Sequence, residues 1–166
     1  MSLVGAEGIR ALTHGRVDAA ARLPAGSTSN HFRTRAALVA GVIQWLAAAE
    51  REDAGAAPIT SRDELVSGLV RMIEVQSGPR AGRTRARYAL FLEADDDSVE
   101  PLRAQRVGME QWLRGILTTL GGPDAAARTP LLMAACDGVL LHRLTVDPKA
   151  PIRDVVEGAV HAVLAP

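Results

Sequence analysis

The sequence predicts an all-α protein, and three features indicate this fold class. Of the 166 residues, 48% are hydrophobic but only 3% are aromatic, and the apolar share is mainly Ala, Leu and Val, which favours packed helices over sheets. Prolines recur at about the spacing of one helix, and a proline inside a helix costs about 3 kcal/mol. Between them, apolar residues follow the spacing of a helix face. We expect a small head, residues 1–50, followed by a helical body, residues 51–166.

The head is predicted to contain three short helices and a fourth that links it to the body. The first extends over Leu3–Leu12, and Thr13 is placed to cap a second helix of about Gly15–Arg22. Pro24 is suited to the start of a third helix, Ala25–His31. The linking helix follows Thr34 as its cap and carries an apolar stripe that includes Trp45.

The body is predicted to contain five helices. Ser61 and Glu64 form a capping-box pattern before the first of them, and Gly121-Gly122-Pro123 is expected to end the longest one. Residues 130–144 are apolar nearly all round, so something beyond the body must cover one side of that helix. Residues 152–164 carry one clean apolar stripe, with small residues beside it. These last two helices suit a four-helix interface between two subunits, which predicts a homodimer through residues 130–144 and 152–164.

The charge is unevenly distributed along the chain. The formal net charge is zero, yet residues 1–35 hold five arginines against only Glu7 and Asp18. A basic head therefore sits on an acidic body, a distribution typical of proteins that bind nucleic acid with one segment.

Cysteine and histidine usage argues against an enzyme or a metal protein. The one cysteine, Cys136, cannot build a paired-cysteine site, and the four histidines have no metal-binding spacing. Cys136 and His142 lie six positions apart, on different sides of one helix, which argues against a Cys–His dyad. We predict no catalytic residue, metal or cofactor. No apolar run approaches the roughly 20 residues that span a bilayer, and no signal peptide is recognisable, so we expect a cytoplasmic protein without a membrane partner.

Residues 11–35 carry a motif that resembles the DNA-binding segment of the TetR (tetracycline-repressor) family. The motif is a leucine-threonine entry, an alanine-rich helix, a tight turn, a second helix ending in His-Phe and a basic residue after it. The family usually has glycine and a small β-branched residue where Arg22 and Leu23 stand. The matching positions are Leu12-Thr13, Val17, Ala20-Ala21, Gly26-Ser27, His31-Phe32 and Arg35.

The resemblance implies a helix-turn-helix whose third helix enters the major groove of duplex DNA. Short polar side chains of this helix are expected to reach base edges, and basic residues around it are expected to neutralise phosphates. Phe32 is expected to turn inward and fix the small core of the head. The candidate DNA-binding residues are Thr13, Arg16, Ser27, Thr28, Asn30, His31, Arg33 and Arg35.

The resemblance also implies a ligand pocket between the helices of the body. Adaptable apolar side chains would form its walls. Asp137 lies in an apolar helix and needs a partner when buried, which a ligand or the other subunit would supply. The candidate ligand-binding residues are Met72, Tyr88, Phe91, Met109, Trp112, Met133 and Asp137.

By this resemblance we predict a homodimeric transcription regulator, most simply a repressor that binds a pseudo-palindromic operator in double-stranded DNA. A small, largely apolar effector would bind the body and change the spacing of the two heads. The alternative is a helical small-molecule-binding or protein-interaction module that has lost DNA binding.

Overall fold

The computed structural model describes residues 2–53 and 58–165. Within these residues the chain forms nine α-helices and contains no β-strand, which confirms the all-α fold class. Proline and glycine punctuation separates most of the helices, as expected from the sequence. They are α1 (Ser2–Glu7), α2 (His14–Ala21), α3 (Ser27–His31), α4 (Arg35–Asp53), α5 (Arg62–Ser77), α6 (Ala81–Glu93), α7 (Asp96–Ala127), α8 (Thr129–Thr145) and α9 (Arg153–Leu164).

The helices group into two compact units. The first unit contains α1–α4, α6 and the beginning of α7 up to Gln105. The second unit contains α5, α7 from Arg106 onward, α8 and α9. The division into a head of residues 1–50 and a body of 51–166 therefore stays a prediction about function, since α6 packs with the N-terminal helices.

The core of the first unit is built mainly around α4. Ile43 and Leu46 of this helix are fully buried, together with Leu90 of α6. The first helix is shorter than the predicted Leu3–Leu12, because Gly8 takes a left-handed conformation with φ 76° and the chain continues as a 3-10 turn over Ile9–Ala11.

In the second unit, α8 and α9 pack against each other and α5 packs against both. The predicted capping box is confirmed, since the side chain of Ser61 accepts from the N–H of Glu64, and the carboxylate of Glu64 accepts from the N–H of Ser61. The glycine pair interrupts α7 as expected. Gly122 is non-helical, with φ 76° and ψ −167°, and the residues after it form a further helical segment that reaches Ala127.

Helices α8 and α9 each bury one side and expose apolar residues on the other. Leu131 and Leu141 of α8 are 53% and 45% exposed, and Val155 of α9 is 42% exposed. The expectation that both sides of α8 are apolar and that only one is covered within the chain is therefore met. We call these surfaces the outer stripes of α8 and α9, and they consist of Leu131, Ala134, Gly138, Leu141, Val155, Gly158 and Ala162.

Candidate nucleic-acid interface

Helix α2 has a side-chain cap at its start and a left-handed residue at its end. The Thr13 hydroxyl accepts from the N–H of Arg16 at 3.4 Å, which satisfies one of the free amides of the first turn. At the end, Arg22 takes φ 55° and ψ 39°. After a helix, glycine adopts this conformation more easily than any other residue. The family that residues 11–35 resemble usually has glycine at this position.

Helix α3 begins at Ser27, two residues later than predicted, so the expectation of a helix over Ala25–His31 started by Pro24 is wrong. Pro24 and Ala25 belong to the turn, and Gly26 precedes the helix with φ 91°. The cause is this φ, which lies outside the right-handed helical region, so the helix can begin only after Gly26. Gly26 also has no side chain with which to cap the helix. The cap comes instead from a side chain of α2.

That side chain is Asp18, which is only 4% exposed. Its Oδ2 accepts from the N–H of Gly26 at 2.9 Å, and its Oδ1 accepts from the N–H of Thr28 at 2.8 Å and from the Thr28 hydroxyl. The hydroxyl of Thr28 and then the two amides hold the pKa of Asp18 below its ordinary value of 3.8. Asp18 is therefore an ionised carboxylate across the start of α3.

Thr28 was expected to be an exposed side chain of the third helix, and this is wrong. It is 5% exposed and its hydroxyl is bound to Asp18. Helices α2 and α3 pack against each other, and Thr28 lies on the side of α3 that faces Asp18 of α2.

The far end of α3 is also held by α2. The Nε2–H of His14 donates to the carbonyl oxygen of Phe32 at 2.7 Å. Phe32 is half-buried and packs against the core of the first unit, as predicted, and its ring meets the ring of His31 edge-on at 4.8 Å between centroids. His14 and Asp18 lie one turn apart on the same side of α2, so α2 contacts both ends of α3.

The solvent side of α3 carries Ser29, Asn30 and His31, which are all exposed. Ser27 is half-buried, and its hydroxyl donates to the carbonyl oxygen of Pro24 at 2.7 Å. The hydroxyl of Ser29 donates to the carbonyl oxygen of Gly26 at 2.9 Å. Asn30 and His31 are thus the predicted contacts with the most accessible polar groups.

The arginines of this segment differ in what they contact. Arg16 forms an ion pair with Glu7 at 2.5 Å, although both side chains are about half exposed. The guanidinium of Arg35 donates to the carbonyl oxygen of Ile9 at 2.9 Å, which ties the start of α4 to the 3-10 turn. Arg33 is exposed in the connection between α3 and α4. Of the predicted phosphate contacts, Arg33 and His31 therefore have the simplest access to a duplex.

The candidate ligand-binding residues are divided between the two units. Tyr88 and Phe91 lie on α6 in the first unit and are half-buried. In the second unit Met133 is 8% exposed, Trp112 is 50% exposed, and Met72 and Met109 are half-buried. Their role in holding an effector stays a prediction.

Asp137 finds its partner within the second unit. The guanidinium of Arg106 on α7 pairs with its carboxylate, and both side chains are a little more than one third exposed. Next to it, Cys136 is buried, and burial followed by the charge of Asp137 raises the pKa of the thiol to about 11. Within residues 2–53 and 58–165 there is no group of three or more His, Cys, Asp or Glu side chains that could hold a metal ion. Over the same residues, none of the helices is long and apolar enough to cross a bilayer.

An α2–turn–α3 arrangement inside an all-helical chain defines a helix-turn-helix protein. Residues 60–166 match the family model for the tetracyclin repressor-like, C-terminal domain, which is more than half of the chain. The protein therefore belongs to the TetR (tetracycline-repressor) family. Searches of curated proteins and of solved structures found no match.

Sequence reasoning missed three residues of this interface, which are His14, Asp18 and Ser29. One signal for Asp18 was available, since it is the only acidic residue between positions 8 and 35. A lone carboxylate among small residues of a basic segment needs a local reason, and here the reason is the cap on α3.

Proposed function

We propose that this protein is a DNA-binding transcription regulator, a homodimeric repressor that responds to a small ligand. Residues 1–50 would bind DNA, and residues 51–166 would bind the ligand and form the dimer. Regulators of the TetR family are not enzymes. The proposal agrees with the absence of catalytic and metal-binding patterns in the sequence.

The observation that carries the DNA-binding proposal is the outer side of α3. Asn30 and His31 are exposed there, while Asp18, His14 and Phe32 hold the helix from behind. The segment around it, residues 1–35, carries a net charge of +3. Exposed short polar side chains for base edges, and basic residues for phosphates, are the two contacts that major-groove recognition requires.

The test is selection of duplexes from a random-sequence library by the full chain, followed by fluorescence anisotropy at two salt concentrations. Enrichment of one pseudo-palindromic sequence, with log affinity falling as log salt rises, is the expected result. The half-sites should be about 34 Å apart, one helical turn of DNA. Recovery of no preferred duplex would favour a ligand-binding or protein-interaction module that has lost DNA binding.

Two variants separate sequence recognition from phosphate contact. Asn30→Ala should weaken binding to the selected duplex by about 1–3 kcal/mol and leave other duplexes nearly unchanged. Arg33→Ala should weaken binding to all duplexes and reduce the salt slope by about one. Arg62→Ala, an exposed arginine of α5 in the second unit, is the control and should change neither property. The opposite pattern for Asn30 and Arg33 would refute their assigned roles.

The dimer proposal is supported by the outer stripes of α8 and α9. These stripes combine large apolar residues, such as Leu131 and Leu141, with glycines and alanines that let another helix approach closely. Because Leu131 and Leu141 are already about half buried, covering the rest of each side chain in a partner would contribute about 0.8–1.5 kcal/mol. Two copies of α8 and α9 would then form a four-helix interface.

Sedimentation or light scattering tests this interface. Leu141→Glu should convert a dimer into a monomer, because it places a charge among apolar side chains. Leu92→Glu is the matched control, since Leu92 lies on α6 outside the stripes and is already 84% exposed. An unchanged mass for Leu141→Glu would exclude this surface as the dimer interface.

The proposed effector is a small, largely apolar molecule. Within the second unit its proposed contacts are Met72, Met109, Trp112, Met133 and Asp137, whereas Tyr88 and Phe91 lie in the first unit and stay predicted contacts. Apolar walls with one ion pair, Arg106–Asp137, are typical of sites that take such a ligand. A Trp45→Phe variant leaves Trp112 as the only tryptophan, so its fluorescence can report compounds that bind the second unit. An effector must also weaken binding to the selected duplex, because a ligand shifts an equilibrium only through its different affinities for the two states.

A further inference from the structure

Helix α3 is too short to hold its own conformation. It has five residues, and isolated helices shorter than about 12 residues are marginal in water. Gly26 supplies no side-chain cap, so the amides at its start depend on an acceptor from elsewhere. The orientation of the exposed residues Asn30 and His31 therefore depends on what anchors the start of the helix.

The anchor at that start is one carboxylate. Asp18 accepts from the N–H of Gly26, the N–H of Thr28 and the hydroxyl of Thr28, so one side chain joins α2 to the turn and to α3. Asp18 and Thr28 are both buried. An ionised acceptor makes hydrogen bonds about twice as strong as a neutral one, and an amide side chain cannot replace it, because the NH₂ of asparagine would face one of these donors.

We propose that Asp18 is the positioning residue of the DNA-binding helix, and that the contact of Asp18 with Gly26 and Thr28 determines whether Asn30 reaches base edges and His31 reaches a phosphate. This inference rests on the DNA-binding function proposed above. Asp18 touches no base in this scheme. It acts through α3, and Thr28 contributes as the partner of Asp18 rather than as a base contact.

Because Asp18 is negatively charged, its two possible roles predict opposite changes in DNA affinity when it is substituted. Removing a negative charge from a DNA-binding segment should strengthen binding to every duplex, if only electrostatics matter. Removing the anchor should instead weaken binding to the preferred duplex alone. Asp18→Asn removes the negative charge and the anchor of α3 together. Glu7→Gln removes only a negative charge, because Glu7 belongs to the same unit but does not contact α3.

The experiment compares the full chain with Asp18→Asn and Glu7→Gln by fluorescence anisotropy. The two probes are the duplex selected by the wild type and an unrelated duplex of the same length. We expect Asp18→Asn to weaken binding to the selected duplex by about tenfold and to leave the unrelated duplex equal or tighter. Glu7→Gln should leave both equal or tighter. Equal or tighter binding of the selected duplex by Asp18→Asn would overturn the inference.

A second pair of variants applies if Asp18→Asn does not fold. Thr28→Val removes the hydroxyl that binds Asp18 and should weaken binding to the selected duplex by about three- to fivefold. Thr28→Ser keeps the hydroxyl and should bind like the wild type. Equal binding by Thr28→Val and Thr28→Ser would contradict the inference.

A measurement without DNA separates the failure of this inference from the failure of the proposed function. In amide-resolved NMR, the Gly26 and Thr28 N–H groups should exchange faster with solvent in Asp18→Asn than in the wild type. If these amides exchange faster in Asp18→Asn but the wild type selects no duplex, Asp18 does hold α3 and the proposed DNA binding is rejected. Unchanged exchange would reject the anchor whatever the protein binds.

Discussion

Substitution of Gly41 by alanine should destabilise the first unit, because the ring of Phe32 occupies the space of a side chain there. A Cβ on Gly41 would lie 2.4 Å from Cε1 and 2.8 Å from Cζ of Phe32. The edge of the ring would have to retreat by about 1 Å to reach ordinary contact. Phe32 immediately follows α3, and its carbonyl oxygen is bound to His14, so the backbone that carries the ring is held at the end of α3.

Two effects of opposite sign determine how much Gly41→Ala changes the free energy of unfolding. Gly→Ala inside a helix normally stabilises by about 0.5–1 kcal/mol. Overpacking a filled site costs about 1–3 kcal/mol. We therefore expect Gly41→Ala to lower the free energy of unfolding by about 1 kcal/mol, and by at most about 2.5 kcal/mol. For a chain of this size, each kcal/mol corresponds to about 2–4 °C in the melting temperature.

The assay is urea denaturation followed by far-UV circular dichroism, with Gly115→Ala as the matched control. Gly115 lies within α7, and a Cβ there would meet nothing within 4 Å, so its substitution should stabilise. A double variant, Gly41→Ala with Phe32→Leu, should lose less than the sum of its single changes, because the smaller side chain leaves room for the methyl group. A Gly41→Ala protein as stable as Gly115→Ala, or strict additivity in the double variant, would refute the packing argument.

Three further predictions concern a helix end, a buried thiol and a titrating carboxylate. Arg22→Gly should raise the free energy of unfolding by about 1 kcal/mol, because glycine adopts φ 55° without the cost borne by arginine; Arg22→Ala should give no such gain in the same urea titration. Cys136, whose pKa is raised to about 11, should be almost entirely a thiol at pH 8 and should resist alkylation until the protein is unfolded, and rapid labelling of the native chain would contradict its burial. The lowered pKa of Asp18 contributes stability that is present above its unfolded value near 3.8 and is lost as pH falls through the folded value. The difference in unfolding free energy between wild type and Asp18→Asn should therefore shrink below about pH 4. A difference that stays constant with pH would show that the ionised carboxylate of Asp18 does not stabilise the folded state.

The fold was predictable to the extent that it depends on local signals. Proline positions, the Ser61–Glu64 capping box and the apolar stripes locate most helices, because each signal lies within a few residues of the helix that it describes. The errors fall where one glycine decides the path of the chain. Gly8 ends α1 early, and Gly26 delays the start of α3 to Ser27. A glycine in a sequence does not reveal which conformation the surrounding helices will impose on it.

The sequence predicted which segment forms the candidate interface but not which of its side chains are exposed. The reason is that the contact between Asp18 and Thr28 joins residues ten positions apart in two different helices. Pro24 and the motif of residues 11–35 predicted a short polar helix ahead of Phe32, which the structure has over Ser27–His31. Neither signal distinguishes Thr28 from Asn30, since both are polar residues of that helix. Their difference arises from Asp18, which binds the first and does not reach the second. A charged side chain is rarely buried without a partner, so a lone acidic residue in a basic, small-residue helix is itself evidence that a donor lies on the neighbouring helix. Applied to this sequence, that argument removes Thr28 from the exposed side of α3 and leaves Asn30 as the residue on which the sequence preference of the proposed DNA-binding function should depend.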